Sequence, residues 1–416
     1  MTKKTTAILR SCCLIIVLLC LFGLFSSVNN ASAATSTPTR TRTPTATPTR
    51  TPTRTPTKTP TQTPTKTSTN EPYPPPATQY PMTPDPLQSE KIFMPLVLKE
   101  FPPYPTLSYY MWTTYDVYGL GCSTGSRLAN RPGAQDGFVF LDYGKPYQND
   151  QAVLGTKLYD QIFISTSDIA SSVVVFALGF YNCTTNDTIK IAVGTNSSGG
   201  TVTDVIATIH GEAWANMIIE INNRFADYPG LPDRVLAVGG INIEPNFNPA
   251  YIARHWLSGY NSVMGHSILY VIASADECPL DYPPEEPETG TYPAGNCGYD
   301  WTQEDIYYVT WGASSSWPYP EIYNTIGANA DQWYRIGLYS KLSHGTRMTF
   351  RGAMTQLAAC QQLREEFPGI PQCVGIDNDP ATGFNQLYNR INSDKYQRIT
   401  NRMVWSTDIK KYKGTP

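Results

Sequence analysis

The residues of this 416-residue chain that could do chemistry sit one after another at the ends of apolar runs. Asp142 ends residues 137–141, Asn196 follows 189–193, Glu244 ends 235–243 and Asp276 lies beyond 268–272. Thr166 follows 161–164, Trp311 follows 306–310, Tyr339 follows 333–338, and Gln356 lies beyond 348–353. Carboxylates set among amides and aromatic rings are what glycoside hydrolysis uses. One carboxyl group protonates the leaving oxygen; the other attacks the sugar, activates water or stabilises charge. Glu244, between apolar Ile243 and the ring of Pro245, suits the acid, because partial desolvation raises a carboxyl pKa and keeps a proton available near neutrality. Asp142 is then expected to stay ionised, with Asp276 as the third catalytic candidate. Tyr143, Trp311 and Trp317 are candidates for stacking on sugar faces. Asn196, Asn242, Tyr339 and Gln356 are further substrate-binding positions. The plainer reading of Asp142 and Asp276 is that they cap following helices.

These residues need a scaffold that brings strand ends together. The eight runs are continuously apolar rather than alternating, which favours buried parallel strands. Helices are expected between them: 169–181 behind a cap at Thr166-Ser167-Asp168, 212–225 with Trp214, Met217, Ile218 and Ile221 on one side, and 248–257. Two more follow, 355–367 capped by Thr355, and a segment from Pro380 capped by Asp379. Strands alternating with helices predict an α/β (β/α)₈ (TIM) barrel, irregular and disulfide-stapled, with its active face at the strand C-termini. An all-β sandwich is disfavoured by the helices. Residues 403–409 are expected to close over the bottom or an edge.

The Asp that ends the first run and the Asn242-Ile243-Glu244 triplet that ends the fourth resemble the Chalaropsis-type family of secreted lysozymes. The resemblance implies a barrel that cleaves peptidoglycan, with Asp142 as a first-strand Asp and Glu244 as the acid. That family has an Asp where this chain has Asn242, so a carbohydrate-binding pseudo-enzyme or a surface adhesion domain is the alternative. The larger two-glutamate barrel clan fits less well. Its second Glu belongs on the seventh strand, where this chain has Leu338-Tyr339-Ser340.

The N-terminus reads as an export signal over residues 1–33: Lys3, Lys4 and Arg10, an apolar run, then Ala31-Ser32-Ala33. Residues 34–90 are a Thr-Pro-rich tether with Arg40, Arg42, Arg50, Arg54, Lys58 and Lys66 interleaved. Such a stretch is extended and cannot build a core. Residues 91–103 hold a short apolar segment, similar to one common in secreted proteins of filamentous green non-sulfur bacteria, and 104–416 form one globular domain. An extracellular or cell-surface location follows, with no membrane span in the mature chain. Net charge is −3 with six cations in the tether, so the domain is acidic, which argues against nucleic acid and leaves a glycan or cell-wall polymer as the expected partner.

Six of the nine cysteines lie beyond the signal. The expected disulfides join neighbours: Cys122–Cys183, Cys278–Cys297 and Cys360–Cys373. No Cys-x-x-Cys spacing occurs, and neither a metal nor a cofactor is expected. Gly121-Cys122-Ser123-Thr124-Gly125 matches Gly-x-Ser-x-Gly but lacks the apolar strand that a nucleophile elbow needs. The four histidines have no metal spacing, and Asp377-Asn378-Asp379 lacks the later ligands of a calcium loop.

Overall fold

Residues 138–141 alternate between two apolar environments: Phe138 and Phe140 belong to one buried cluster, Val139 and Leu141 to another. A strand buried on both faces reads as a continuous apolar run for this reason. In the computed structural model, eight such strands stand side by side, with one cluster inside the barrel and the other between strands and helices. The structure describes residues 102–197, 203–265, 267–274, 301–369, 373–394, 398 and 403–414. The chain divides into Met1–Pro86 and Leu87–Pro416, and every described residue belongs to the second unit. The signal, the tether and most of the apolar segment at 91–103 lie outside the described residues.

The strands are β1 (Thr106–Met111), β2 (Asp136–Asp142), β6 (Thr188–Asn196), β7 (Val235–Asn242), β8 (Leu269–Ala273), β9 (Ser316–Pro320), β10 (Gly352–Thr355) and β11 (Trp405–Tyr412). Their order in the sheet is β10-β11-β1-β2-β6-β7-β8-β9, all neighbours parallel. A single parallel bridge from Glu321 to Met354 joins the two ends. This is a nearly closed (β/α)₈ barrel. Three short strands, β3 (Lys145–Gln148), β4 (Leu154–Lys157) and β5 (Phe163–Ser165), form a separate antiparallel sheet inserted after β2. The helices are α1 (Val117–Ala129), α2 (Thr166–Asn182), α3 (Asp204–Phe225), α4 (Ala250–Met264), α5 (Gln303–Tyr307), continued by a π-helical turn Tyr308–Gly312, α6 (Ala328–His344), α7 (Leu357–Glu366) and α8 (Pro380–Asn392). Among the described residues no helix is long and apolar enough to cross a membrane.

Several expected elements fall elsewhere. Residues 161–164 contribute only to β5 of the small sheet, not to the barrel. Residues 306–310 are helical: Thr302 and Asp305 form a reciprocal capping box that starts α5, a Thr-x-x-Asp signal overlooked in the sequence. Residues 333–338 lie in α6, whose buried Ala330, Trp333, Ile336, Gly337 and Ser340 follow the helical period once the window is long enough. Residues 403–409 do not close an end; they supply β11, the eighth barrel strand. The caps shift slightly. Ser165, not Thr166, caps α2 by accepting from Asp168 N–H, and Thr355 ends β10 instead of capping α7. Asp379 caps α8 with Pro380 in its first turn, as expected.

Strand β9, Ser-Trp-Pro-Tyr-Pro, carries two prolines. Glu321 N–H donates to Ala273 of β8, whereas Ile322 N–H donates to Met354 of β10. By the same alternation the missing N–H groups of Pro318 and Pro320 face β10, where no ladder forms. The prolines therefore sit on the barrel's one weak seam.

Glycines decide two close contacts. A Cβ at Gly194 would sit 1.8 Å from the Phe140 ring, so β6 must be bare there for Phe140 to fill the barrel. A Cβ at Gly121 would sit 2.0 Å from the Phe176 carbonyl where α1 crosses α2, and the Gly-x-Ser-x-Gly match is part of this helix contact. The Cys122–Cys183 disulfide ties the same two helices, and Cys360–Cys373 ties α7 to the segment after it. Cys278 and Cys297 lie outside the described residues.

Candidate active site at the barrel mouth

The lower barrel is solid. Phe138 stacks on Tyr319 with centroids 4.3 Å apart and on Trp405 at 5.5 Å. Arg351 lies 4.7 Å from the Trp317 ring centroid, and Lys190 lies 5.0 Å from that of Trp405. Trp317 is near the start of β9, and Trp311 packs edge-on against it at 5.5 Å. Both expected stacking tryptophans therefore belong to the N-terminal end and cannot meet a ligand at the mouth.

The period of two places another set of side chains inside at the strand C-termini: Tyr110 (β1), Asp142 (β2), Asn196 (β6), Asn242 (β7), Glu321 (after β9) and Gln356 (after β10). Tyr110 pairs in register with Asp142, and Asn196 with Asn242. Asp142 is fully buried. Its Oδ1 accepts from Gly144 N–H at 2.8 Å, and its Oδ2 accepts from the Tyr159 hydroxyl at 2.7 Å. Asn196 Nδ2 donates to that hydroxyl at 3.1 Å. Burial pushes the Asp142 carboxyl up to about 7, against the opposing pull of these hydrogen bonds. The expected roles are thus changed: Asp142 holds a proton up to neutrality instead of staying ionised.

Convergence is legible in the Tyr110 phenol. Burial, then the negative fields of Glu321, Asp142 and Glu244, hold it well above the usual tyrosine range, while the amide of Gln356, donating at 2.9 Å, acts the other way. The Tyr323 phenol is raised by burial and then by Glu321, Tyr110 and Glu244, and it is hydrogen-bonded to Glu321. The fields of three carboxyl groups therefore reach the Tyr110 phenol, and two of them, Glu321 and Glu244, also reach Tyr323. Glu321 is fully buried, while Glu244, Tyr110, Tyr159, Tyr323 and Gln356 are half-buried and form the accessible lining. Asn242 is buried, and its Oδ1 has no hydrogen-bond partner among the described residues.

Tyr159 reaches the mouth from the turn between β4 and β5. That small sheet is fastened by His210 of α3, whose Nε2 lies 2.8 Å from the Gly155 carbonyl. Trp256 Nε1–H donates to His210 Nδ1 at 2.9 Å, so Nδ1 is the acceptor and Nε2 carries the proton. Burial lowers the His210 pKa to about 4.

Of the sequence candidates, Asp142, Glu244, Asn196, Asn242 and Gln356 meet at the mouth. Tyr143 does not: the opposite parity turns it outward, fully buried, with its hydroxyl 3.1 Å from Ser172 of α2. Tyr339 is on α6 and donates to Glu304 at 2.8 Å, away from the strand ends. Thr166 opens α2 beside the small sheet. Asp276 lies outside the described residues. Glu321 was missed because Ser316–Pro320 did not read as a strand, although Trp317, Tyr319 and Glu321 alternate with period two. Asp142 ends the second barrel strand, not the first, whose end is Met111. Glu244 does follow the fourth, because the unseen β1 and the spurious run at 161–164 cancel in the count.

Among the described residues no group of three or more His, Cys, Asp or Glu side chains is arranged to hold a metal ion. No protein-family model matches the chain, and no curated protein is similar enough to count as a relative.

Proposed function

We propose that the domain is an exported glycoside hydrolase acting on an extracellular or cell-wall glycan at the C-terminal mouth of the barrel. The observation that carries this reading is the meeting of Asp142, Glu244 and Glu321 around the Tyr110 phenol. Glycoside hydrolysis needs two carboxyl groups in different protonation states, and environments that separate the pKa values of neighbouring carboxyls supply them. Glu244, half-buried at the rim, is the group that touches substrate. Asp142 lies beneath, reaches the rim through Tyr159 and keeps that hydroxyl oriented. Glu321 and Tyr323 form the opposite wall, and Gln356 and Asn196 offer amides to sugar hydroxyls. The two disulfides suit an oxidising compartment, and the N-terminal sequence supplies the export reading. Likeness to the Chalaropsis-type lysozymes rests on Glu244 alone, since Asp142 stands one strand later than that pattern requires.

A glycan panel tests the reading. Turnover of at least one polymer by the wild type, falling at least about 10²-fold in Glu244→Gln, is the expected result. An active preparation that keeps its rate with Gln at 244 would remove Glu244 from the chemistry. A second reading, a glycan-binding pseudo-enzyme, is favoured by Asn242, an amide where the lysozyme pattern has a carboxylate, with its buried Oδ1 open to a donor from a ligand. Binding without turnover on every glycan would select it.

A further inference from the structure

A groove runs along the outer wall of the barrel between α1 and the adjoining strands β1 and β11. Its upper part, about 300 Å³, is lined by Ser123 and Arg127 of α1, Gln362 of α7, and Lys410, Lys411 and Lys413. Tyr109 and Arg127 also line its lower part, which continues to Arg131, whose guanidinium lies 3.2 Å from the centroid of the Tyr104 ring. Arg127 lies in the last turn of α1, and Arg131 follows just beyond the end of that helix. Lys410 and Lys411 occupy the far end of β11 and Lys413 follows it, so five cations are strung along the groove instead of surrounding one point.

Four carboxylates lie near them, and one is Asp116, which accepts from the N–H of Gly119 in the groove lining and acts on Tyr412. Glu366 of α7 holds Lys413 at 2.6 Å and lies 3.8 Å from Lys411. Glu365 and Asp408 attract Lys410, while Arg127 repels it. Asp408 is already engaged, accepting from Thr355 Oγ1 and Ala358 N–H at 3.0 Å each. The groove thus keeps a positive excess on a chain whose net charge is −3.

Its upper end adjoins the mouth. Lys411 pairs in register with Tyr110. The ammonium groups of Lys411 and Lys413 lie 5.6 and 5.1 Å from the centroid of Trp112, whose ring stacks on Tyr159. Tyr159 in turn donates to Asp142.

We propose that this groove binds an acidic polysaccharide, a chain bearing carboxylate or sulfate groups, and leads it along the barrel wall to the mouth. Sparse cations interrupted by Glu365 and Glu366 suit a polymer with widely spaced charges. A nucleic acid backbone, with denser charge, asks for a more uniformly basic face. The binding measurement needs no turnover, so this proposal and the hydrolase reading can fail separately.

The test compares the full chain with Arg127→Gln/Lys410→Gln/Lys413→Gln, tether present in both, by affinity electrophoresis in polygalacturonate, dextran sulfate, neutral dextran and single-stranded DNA. Retardation of the wild type by polygalacturonate or dextran sulfate but not by neutral dextran is expected, with affinity at least about tenfold weaker and less salt-dependent in the variant. The two anionic polymers separate carboxylate from sulfate recognition. Unchanged affinity in the variant would place the binding charge elsewhere and overturn the proposal. So would no binding at low salt, or DNA bound as tightly as either polysaccharide. Should the triple variant melt early, Lys411→Gln/Lys413→Gln at the groove's open end replaces it, with about threefold weakening expected.

Discussion

Acid should loosen this barrel through His210, and the size of the effect follows from its surroundings. The imidazole is fully buried, stacked 5.4 Å from Trp214 and fixed as the neutral tautomer between Trp256 and the Gly155 carbonyl. Its pKa is lowered from 6.5 to about 4. The unfolded chain therefore takes up a proton between those values while the folded chain does not. The stabilisation is present above pH 6.5 and is lost as pH falls toward 4. Linkage gives a loss of about 2 kcal/mol by pH 5 and about 3 kcal/mol by pH 4. Urea midpoints at pH 7, 6, 5 and 4 for the wild type and for His210→Gln measure it. The variant should be less stable at pH 7, because it loses the fitted ring, but the gap should narrow by about 3 kcal/mol at pH 4. Other titrating groups are common to both chains and cancel in the difference. Parallel pH profiles would show that His210 is not held neutral and would refute the reasoning.

Asp142 gives the opposite sign. Its folded pKa of about 7 lies above the usual 3.8, so its contribution is present below pH 3.8 and lost as pH rises through 7. Relative to Asp142→Asn, the wild type should lose about 4 kcal/mol between pH 4 and pH 9, read from the same kind of urea series, and a flat difference would contradict it. Gly194→Ala, which drives a methyl group into the Phe140 ring, should destabilise by about 1–3 kcal/mol in thermal or urea unfolding, with no change in disulfide content. The Cys122–Cys183 link spans 61 residues and Cys360–Cys373 spans 13, so removing the first pair with serines should cost about 4 kcal/mol and the second about 3, in the order set by loop length. A reversed order would point to native packing instead of chain entropy.

The barrel was legible where burial on both faces imposed continuous apolar runs, as in Val235–Asn242 and Thr188–Asn196. It was not legible where a strand served a second purpose. In β11, Asp408 caps α7 and Lys410 and Lys411 line the groove, so Trp405–Tyr412 reads as a charged segment although it is central to the sheet. In β1, Ser108 turns inward and accepts from Phe140 N–H at 2.9 Å, a polar residue that masks the pattern. In β9, prolines were admissible only because they face the seam. At the mouth, carboxylates placed directly after apolar runs were found, while Glu321 after Pro320 was not. The aromatic candidates failed because a tryptophan's type does not tell which end of a barrel it occupies. Trp311 and Trp317 are as apolar and as near strand ends as any sugar platform, but they sit at the wrong ends.

The plugged floor of the barrel makes the mouth a dead end. With Phe138, Tyr319 and Trp405 stacked across the lower half and Arg351 and Lys190 laid over the tryptophans, nothing can thread from one side of the molecule to the other. Whatever enters must back out by the same door. A long polymer could only drape across the rim or offer a terminus. Traffic at this doorway, governed by Tyr110, Tyr159, Tyr323 and the segments around them, would then set the pace of any cycle the protein runs.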